Sequence, residues 1–110
     1  MPIEFQYNQS TEQAFYFIDP SDLKDIGIKN GDWLVSVCGS AIAGSRQYNG
    51  EIIDIPVMGY DGYVSTQGYC EPGDTPELKL YQSETSEMID IFANVNTWQS
   101  NGIFNINQVY

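Results

Sequence analysis

Asn30-Gly31-Asp32-Trp33-Leu34-Val35-Ser36-Val37-Cys38-Gly39-Ser40-Ala41-Ile42-Ala43-Gly44-Ser45-Arg46-Gln47 is the stretch that decides the fold. Asn-Gly is the strongest short turn signal in the chain, because both residues tolerate the backbone angles that a tight reversal needs. A run rich in aromatic and β-branched residues follows it, over Trp33–Cys38. Gly39-Ser40 makes a tight connection to a second run over Ala41–Gln47, which Tyr48-Asn49-Gly50 closes. Two short strands are the expected result.

Working outward, the dominant period stays at two. In Ile3-Glu4-Phe5-Gln6-Tyr7-Asn8 apolar and polar residues alternate strictly, the pattern of a half-buried strand. Ala14-Phe15-Tyr16-Phe17-Ile18 is a continuous apolar run stopped by Asp19-Pro20, and it reads as a strand buried on both faces. Further strands are expected over Ile52–Met58, around Leu78 and Leu80, over Met88–Phe92 and over Ile103–Val109. Ser10-Thr11-Glu12-Gln13 matches a capping box, yet the β-rich run behind it favours a turn. One helical turn is expected over Pro20–Ile26. About eight short strands with turn signals between them indicate an all-β, single-domain β-sandwich spanning 1–110, of immunoglobulin-like or jelly-roll-like type. Gly31-Asp32 and Gly73-Asp74 both precede strands, and turn chemistry alone accounts for that echo.

Composition narrows the function. Fifteen acids against four cations (Lys24, Lys29, Arg46, Lys79) give a net charge of −11. Phosphate binding requires clustered Lys or Arg, so neither nucleic acid nor an anionic membrane is an expected partner. No run of about eighteen apolar residues exists to form a membrane helix. The start, Met1-Pro2-Ile3-Glu4-Phe5, shows no secretory leader, so the expectation is a small complete protein made in a reducing compartment. Cys38 and Cys70 are then expected as free core thiols. The alternative, a bridge, would add roughly 3–4 kcal/mol by loop entropy.

The sequence contains no histidine. That removes the commonest general base, the Ser-His-Asp and Cys-His arrangements and histidine metal sites. None of the lysines sits in an apolar setting that would make it a nucleophile. A 110-residue sandwich also leaves little room for two opposed carboxylates around a cleft. No enzyme and no cofactor are expected. Asp54, Asp61 and Asp74 read as solvated turn aspartates, with calcium as the alternative. Tyr48, Tyr60, Tyr63 and Tyr69 lie near Gly-rich turns and are the candidate binding residues, able to stack on a sugar or pack against a subunit.

Several spaced motifs between residues 12 and 82 carry a resemblance. They are Glu12-Gln13-Ala14-Phe15-Tyr16-Phe17, Gly31-Asp32-Trp33-Leu34, Gly44-Ser45-Arg46-Gln47, Ile55-Pro56-Val57-Met58-Gly59-Tyr60-Asp61-Gly62, Gly68-Tyr69 and Pro72-Gly73-Asp74-Thr75-Pro76. In that order they resemble a β-rich module repeated in large secreted surface proteins of marine bacteria and in virion structural proteins of marine phages. The chain departs from it at Val35-Ser36-Val37 and at Ile42, where the module often has a cysteine. The resemblance implies a β fold and a structural or adhesive role without catalytic residues.

Two functions follow as expectations. The first is a virion structural protein, such as a capsid decoration, head-fibre or tail-associated subunit, contacting other structural subunits in a multi-copy assembly. An exposed N-terminal or C-terminal strand is then expected to add to a neighbour's sheet. The second is an extracellular or cell-surface adhesion module that binds a glycan through the tyrosine loops.

Overall fold

The computed structural model describes residues 7–18, 27–50 and 53–106. Seven strands lie among them: β1 Gln13–Ile18, β2 Trp33–Cys38, β3 Ala41–Gln47, β4 Ile53–Met58, β5 Glu77–Gln82, β6 Glu87–Ile91 and β7 Ile103–Ile106. A short 3-10 turn covers Val64–Thr66. Of the strand expected over Ile3–Asn8, residues 3–6 lie outside the described residues, and Tyr7 and Asn8 are not in a strand. The helical turn expected over Pro20–Ile26 also lies outside them. Ser10–Glu12 is not helical; the chain bends at Thr11 and Glu12 and enters β1 at Gln13.

The strands form two sheets, β4-β1-β7 and β3-β2-β5-β6. All neighbours are antiparallel except β1 and β7, which run parallel. The fold is an all-β sandwich.

One turn is used twice to launch a strand or its approach. Asp32 donates its N–H to the Lys29 carbonyl at 3.0 Å and accepts the Lys29 N–H on its own carboxylate at 3.0 Å. Asp74 repeats this with Glu71, at 3.0 and 2.9 Å. Gly31 and Gly73, at φ +95° and +94°, occupy the left-handed position each turn requires. The Gly-Asp echo in the sequence is therefore a repeated turn, not a repeated domain. Asp32 is buried, and its other oxygen accepts the Ser83 N–H at 3.1 Å, which ties this turn to the β5–β6 connection.

The core lies between the sheets. From β1 it takes Ala14, Tyr16 and Ile18, from β4 Ile55 and Val57, and from the facing sheet Leu34, Ala43, Leu78, Leu80 and Ile91. Alternation along β1 corrects the reading of that strand as buried on both faces. Phe15 and Phe17 point to the outer side and are half-exposed. The strand buried on both faces is β2 instead. Leu34 and Cys38 join the main core, while Val35 and Val37 are covered on the outer face by Trp33, Ile42 and Tyr81. Tyr16 is buried with its hydroxyl donating to the Asn96 carbonyl at 2.8 Å, and burial pushes its phenol well above the ordinary range.

One corner of the sandwich is closed by side chains. β4 is an edge strand, and three of its carbonyls are satisfied from outside its own sheet. Asp54 accepts from Arg46 Nε at 3.0 Å, Pro56 from the Ser36 hydroxyl at 2.8 Å, and Met58 from the Cys70 N–H at 3.4 Å. Pro56 has no N–H to leave unpaired, which suits it to an edge. A bulge between Ser36 and Val37 in the β2–β3 ladder brings Gly44 against this edge. Any Cβ at Gly44 would collide with the Pro56 carbonyl.

Cys38 and Cys70 form a disulfide, which corrects the expectation of two free thiols. Thirty-two positions in sequence say nothing about distance in space. In the fold, residues 59–70 leave β4 and return so that Cys70 bridges Gly59. Its Cα then lies 5.3 Å from that of Cys38 at the end of β2, within bonding geometry. Both half-cystines are buried, so the bond ties the end of β2 to the loop that follows β4 inside the core.

Candidate functional site

The four candidate tyrosines do not converge on one face. Tyr69 is buried, and its phenol oxygen accepts the Asn8 N–H at 2.8 Å. Tyr48 packs against the main core. Tyr60 and Tyr63 are exposed on the loop after β4, beside the still more exposed Val64.

This loop is organised by Asp61. Its carboxylate accepts from the Thr66 hydroxyl at 2.7 Å, the Tyr63 N–H at 3.1 Å, the Ser10 hydroxyl at 3.3 Å and the Thr11 N–H at 3.4 Å. Those donors, the Thr66 hydroxyl first, hold the Asp61 carboxyl below its ordinary value. The aspartate is thus a hub that fastens the segment before β1 to the 60–66 loop. Asp54 pairs with Arg46 at 3.1 Å, and Asp74 is folded onto its own turn. No group of three potential metal ligands occurs among the described residues.

Lys79 and Asp90 face each other on the outer side of β5 and β6 at 2.7 Å, and this bond raises the lysine's affinity for its proton. A lysine held as ammonium is no nucleophile. The shifted groups Tyr16, Asp61 and Lys79 are each accounted for by burial or hydrogen bonding in the fold.

Apolar exposure gathers at the side of the molecule opposite the closed corner. β6 is the edge of its sheet and pairs with β5 alone among the described residues. Its Met88 and Ile89 are 42% and 38% exposed. Because they are consecutive, they point to opposite faces. Ile89 lies beside Leu80 on the core side, yet it stays partly exposed where Leu80 is fully buried. Phe92 follows at 64% exposure, and Ile103 on the edge strand β7 reaches 72%. A cleft of about 840 Å³ lies here, lined among others by Leu78, Ile91, Phe92, Asn96 and Asn105.

Charge is distributed to match. In a chain of net −11, residues 91–110 contain no charged side chain at all. The sequence pattern marks Met88–Phe92 as one more strand. The signal for its edge status, two adjacent apolar residues between Glu87 and Asp90 followed by a charge-free tail, was present but depends on strand order for its meaning.

In comparisons with known proteins, no family model, no curated protein sequence and no solved structure matches this chain.

Proposed function

We propose that the protein is a non-catalytic structural subunit that acts through protein–protein contacts in a multi-copy assembly, with a virion as its setting. The observation that carries this is the edge strand β6, which among the described residues pairs with β5 alone and whose Met88 and Ile89 are exposed on opposite faces. Edge strands in isolated proteins are normally blunted, because their free N–H and C=O groups recruit other strands. Here one edge, β4, is sealed by Arg46, Ser36 and Cys70, while β6 is left open among the described residues. The buried Cys38–Cys70 bond supports service outside a reducing cytoplasm, as for a released particle. A histidine-free sequence and lysine and aspartate groups engaged in structural contacts support a role without chemistry. The virion setting itself rests on the resemblance of residues 12–82.

Quantitative mass spectrometry of purified particles and of the soluble extracellular fraction, from cells that make this chain, tests the reading. Many copies per particle are expected. Recovery solely in a non-particulate surface fraction would overturn it.

One observation favours a second reading, a glycan-binding adhesion module: Tyr60 and Tyr63 stand exposed on a loop held by Asp61. Exposed aromatic rings on a fixed loop offer a stacking platform for a sugar. A glycan array with Tyr60→Ala and Tyr63→Ala controls decides it, since binding lost in both variants establishes the module and no binding removes it.

A further inference from the structure

We infer that β6 pairs antiparallel with β6 of a second copy of this chain, joining two four-stranded sheets into one of eight across a two-fold axis at Ile89. The inference rests on the assembly reading and names the contact that serves it. A partner docking face-on would cover one side of the strand. Met88 and Ile89 are exposed on opposite sides, and strand addition flanks both at once.

The sequence of β6, Glu87-Met88-Ile89-Asp90-Ile91, makes the second copy a fitting occupant. With Ile89 opposite Ile89 of the second copy, Glu87 lies opposite Ile91, and Met88 opposite Asp90. All five residues are paired and no two acids face each other. Shifting the register by one pair in one direction sets Asp90 against Asp90. Shifting it the other way leaves Ile91 and Asp90 without partners in the strand. Like charges directly opposite destabilise a ladder, so the Ile89-centred register is the one that the charges permit. Asp90 is moreover partly neutralised by Lys79 on the same face. The uncharged residues that follow, from Ile91 onward, add no repulsion beside the axis.

A five-residue ladder falls short of the roughly 1,000 Å² expected of a stable stand-alone interface, so the dimer is weak in dilute solution. Two chains of net −11 also repel, and added salt strengthens the association by screening.

The test is sedimentation equilibrium of the purified, disulfide-bonded protein over a wide concentration range, beside Ile89→Lys and Met88→Lys. Both variants add one positive charge to an exposed site, so a general charge effect moves them alike. The register moves them apart. Ile89→Lys sets two lysines together at the axis and weakens dimerisation about tenfold or more. Met88→Lys places a cation opposite Asp90 of the second copy, twice per dimer, and strengthens it about two- to thirtyfold at 0.2–1 kcal/mol per pair. Circular dichroism confirms that both variants are folded, and the strengthening variant cannot be mistaken for a folding defect. A wild-type protein that stays monomeric at every concentration overturns the inference, as do variants that shift together. Oligomers indifferent to both variants overturn the β6 contact while leaving the assembly reading intact.

Discussion

The Ser36 hydroxyl on β2 donates to the Pro56 carbonyl on β4 at 2.8 Å, bonding the two sheets across their closed corner. Ser36 is fully buried, and its presence among Leu34 and Cys38 is explained by this acceptor. With Arg46 and Gly44, it converts an edge strand into an internal joint. The open edge that the proposed association uses lies on the other side of the molecule, at β6.

Removing that hydroxyl leaves a carbonyl facing the core without its donor. Ser36→Ala is expected to lower the unfolding free energy by about 1–3 kcal/mol. Gly44→Ala forces the Pro56 backbone to move and is expected to cost a further ~1–3 kcal/mol in its own right. Urea denaturation of each variant checks both.

The disulfide closes a loop of thirty-two positions. Cys38→Ala with Cys70→Ala is expected to destabilise the protein by roughly 3–4 kcal/mol. Thermal unfolding with and without reductant should show the wild type falling towards the variant, and the variant unchanged by reductant.

Asp61 makes stability depend on acid pH. Its folded-state pKa lies below the ordinary 3.8, so its contribution is fully present above that value. The contribution is lost as pH falls through the folded value. Asp61→Asn should therefore be less stable than wild type at neutral pH, with the gap closing below about pH 4. A series of melting curves from pH 6 to pH 2 measures this.

Tyr16 acts at the other end of the scale. Burial raises its pKa, so the stability tied to its neutral phenol is present below the unfolded value of about 10 and declines as pH rises beyond it. Tyr16→Phe loses the hydrogen bond to Asn96 but should show a flatter decline above pH 10 in the same melting experiment.

Much of this architecture was legible in the residues. Period-two patterning and the Asn30-Gly31 turn located β2 and β3, and Leu78-Lys79-Leu80 located β5. Faces were harder, because an unbroken apolar run such as Ala14–Ile18 has no polar phase to mark its outer side. Phe15 and Phe17 proved half-exposed for that reason. Long-range facts were not legible at all. The proximity of Cys38 to Cys70, the burial of Tyr69 under Asn8 and the edge position of β6 all follow from strand order, which no local pattern encodes.

Hydrogen–deuterium exchange at increasing protein concentration tests the central claim, that this subunit associates through its open β6 edge. Amide protection over Glu87–Ile91 should rise with concentration, while β4, already joined to Ser36 and Arg46, stays constant. Protection over Glu87–Ile91 that is the same in dilute and concentrated samples would contradict the account.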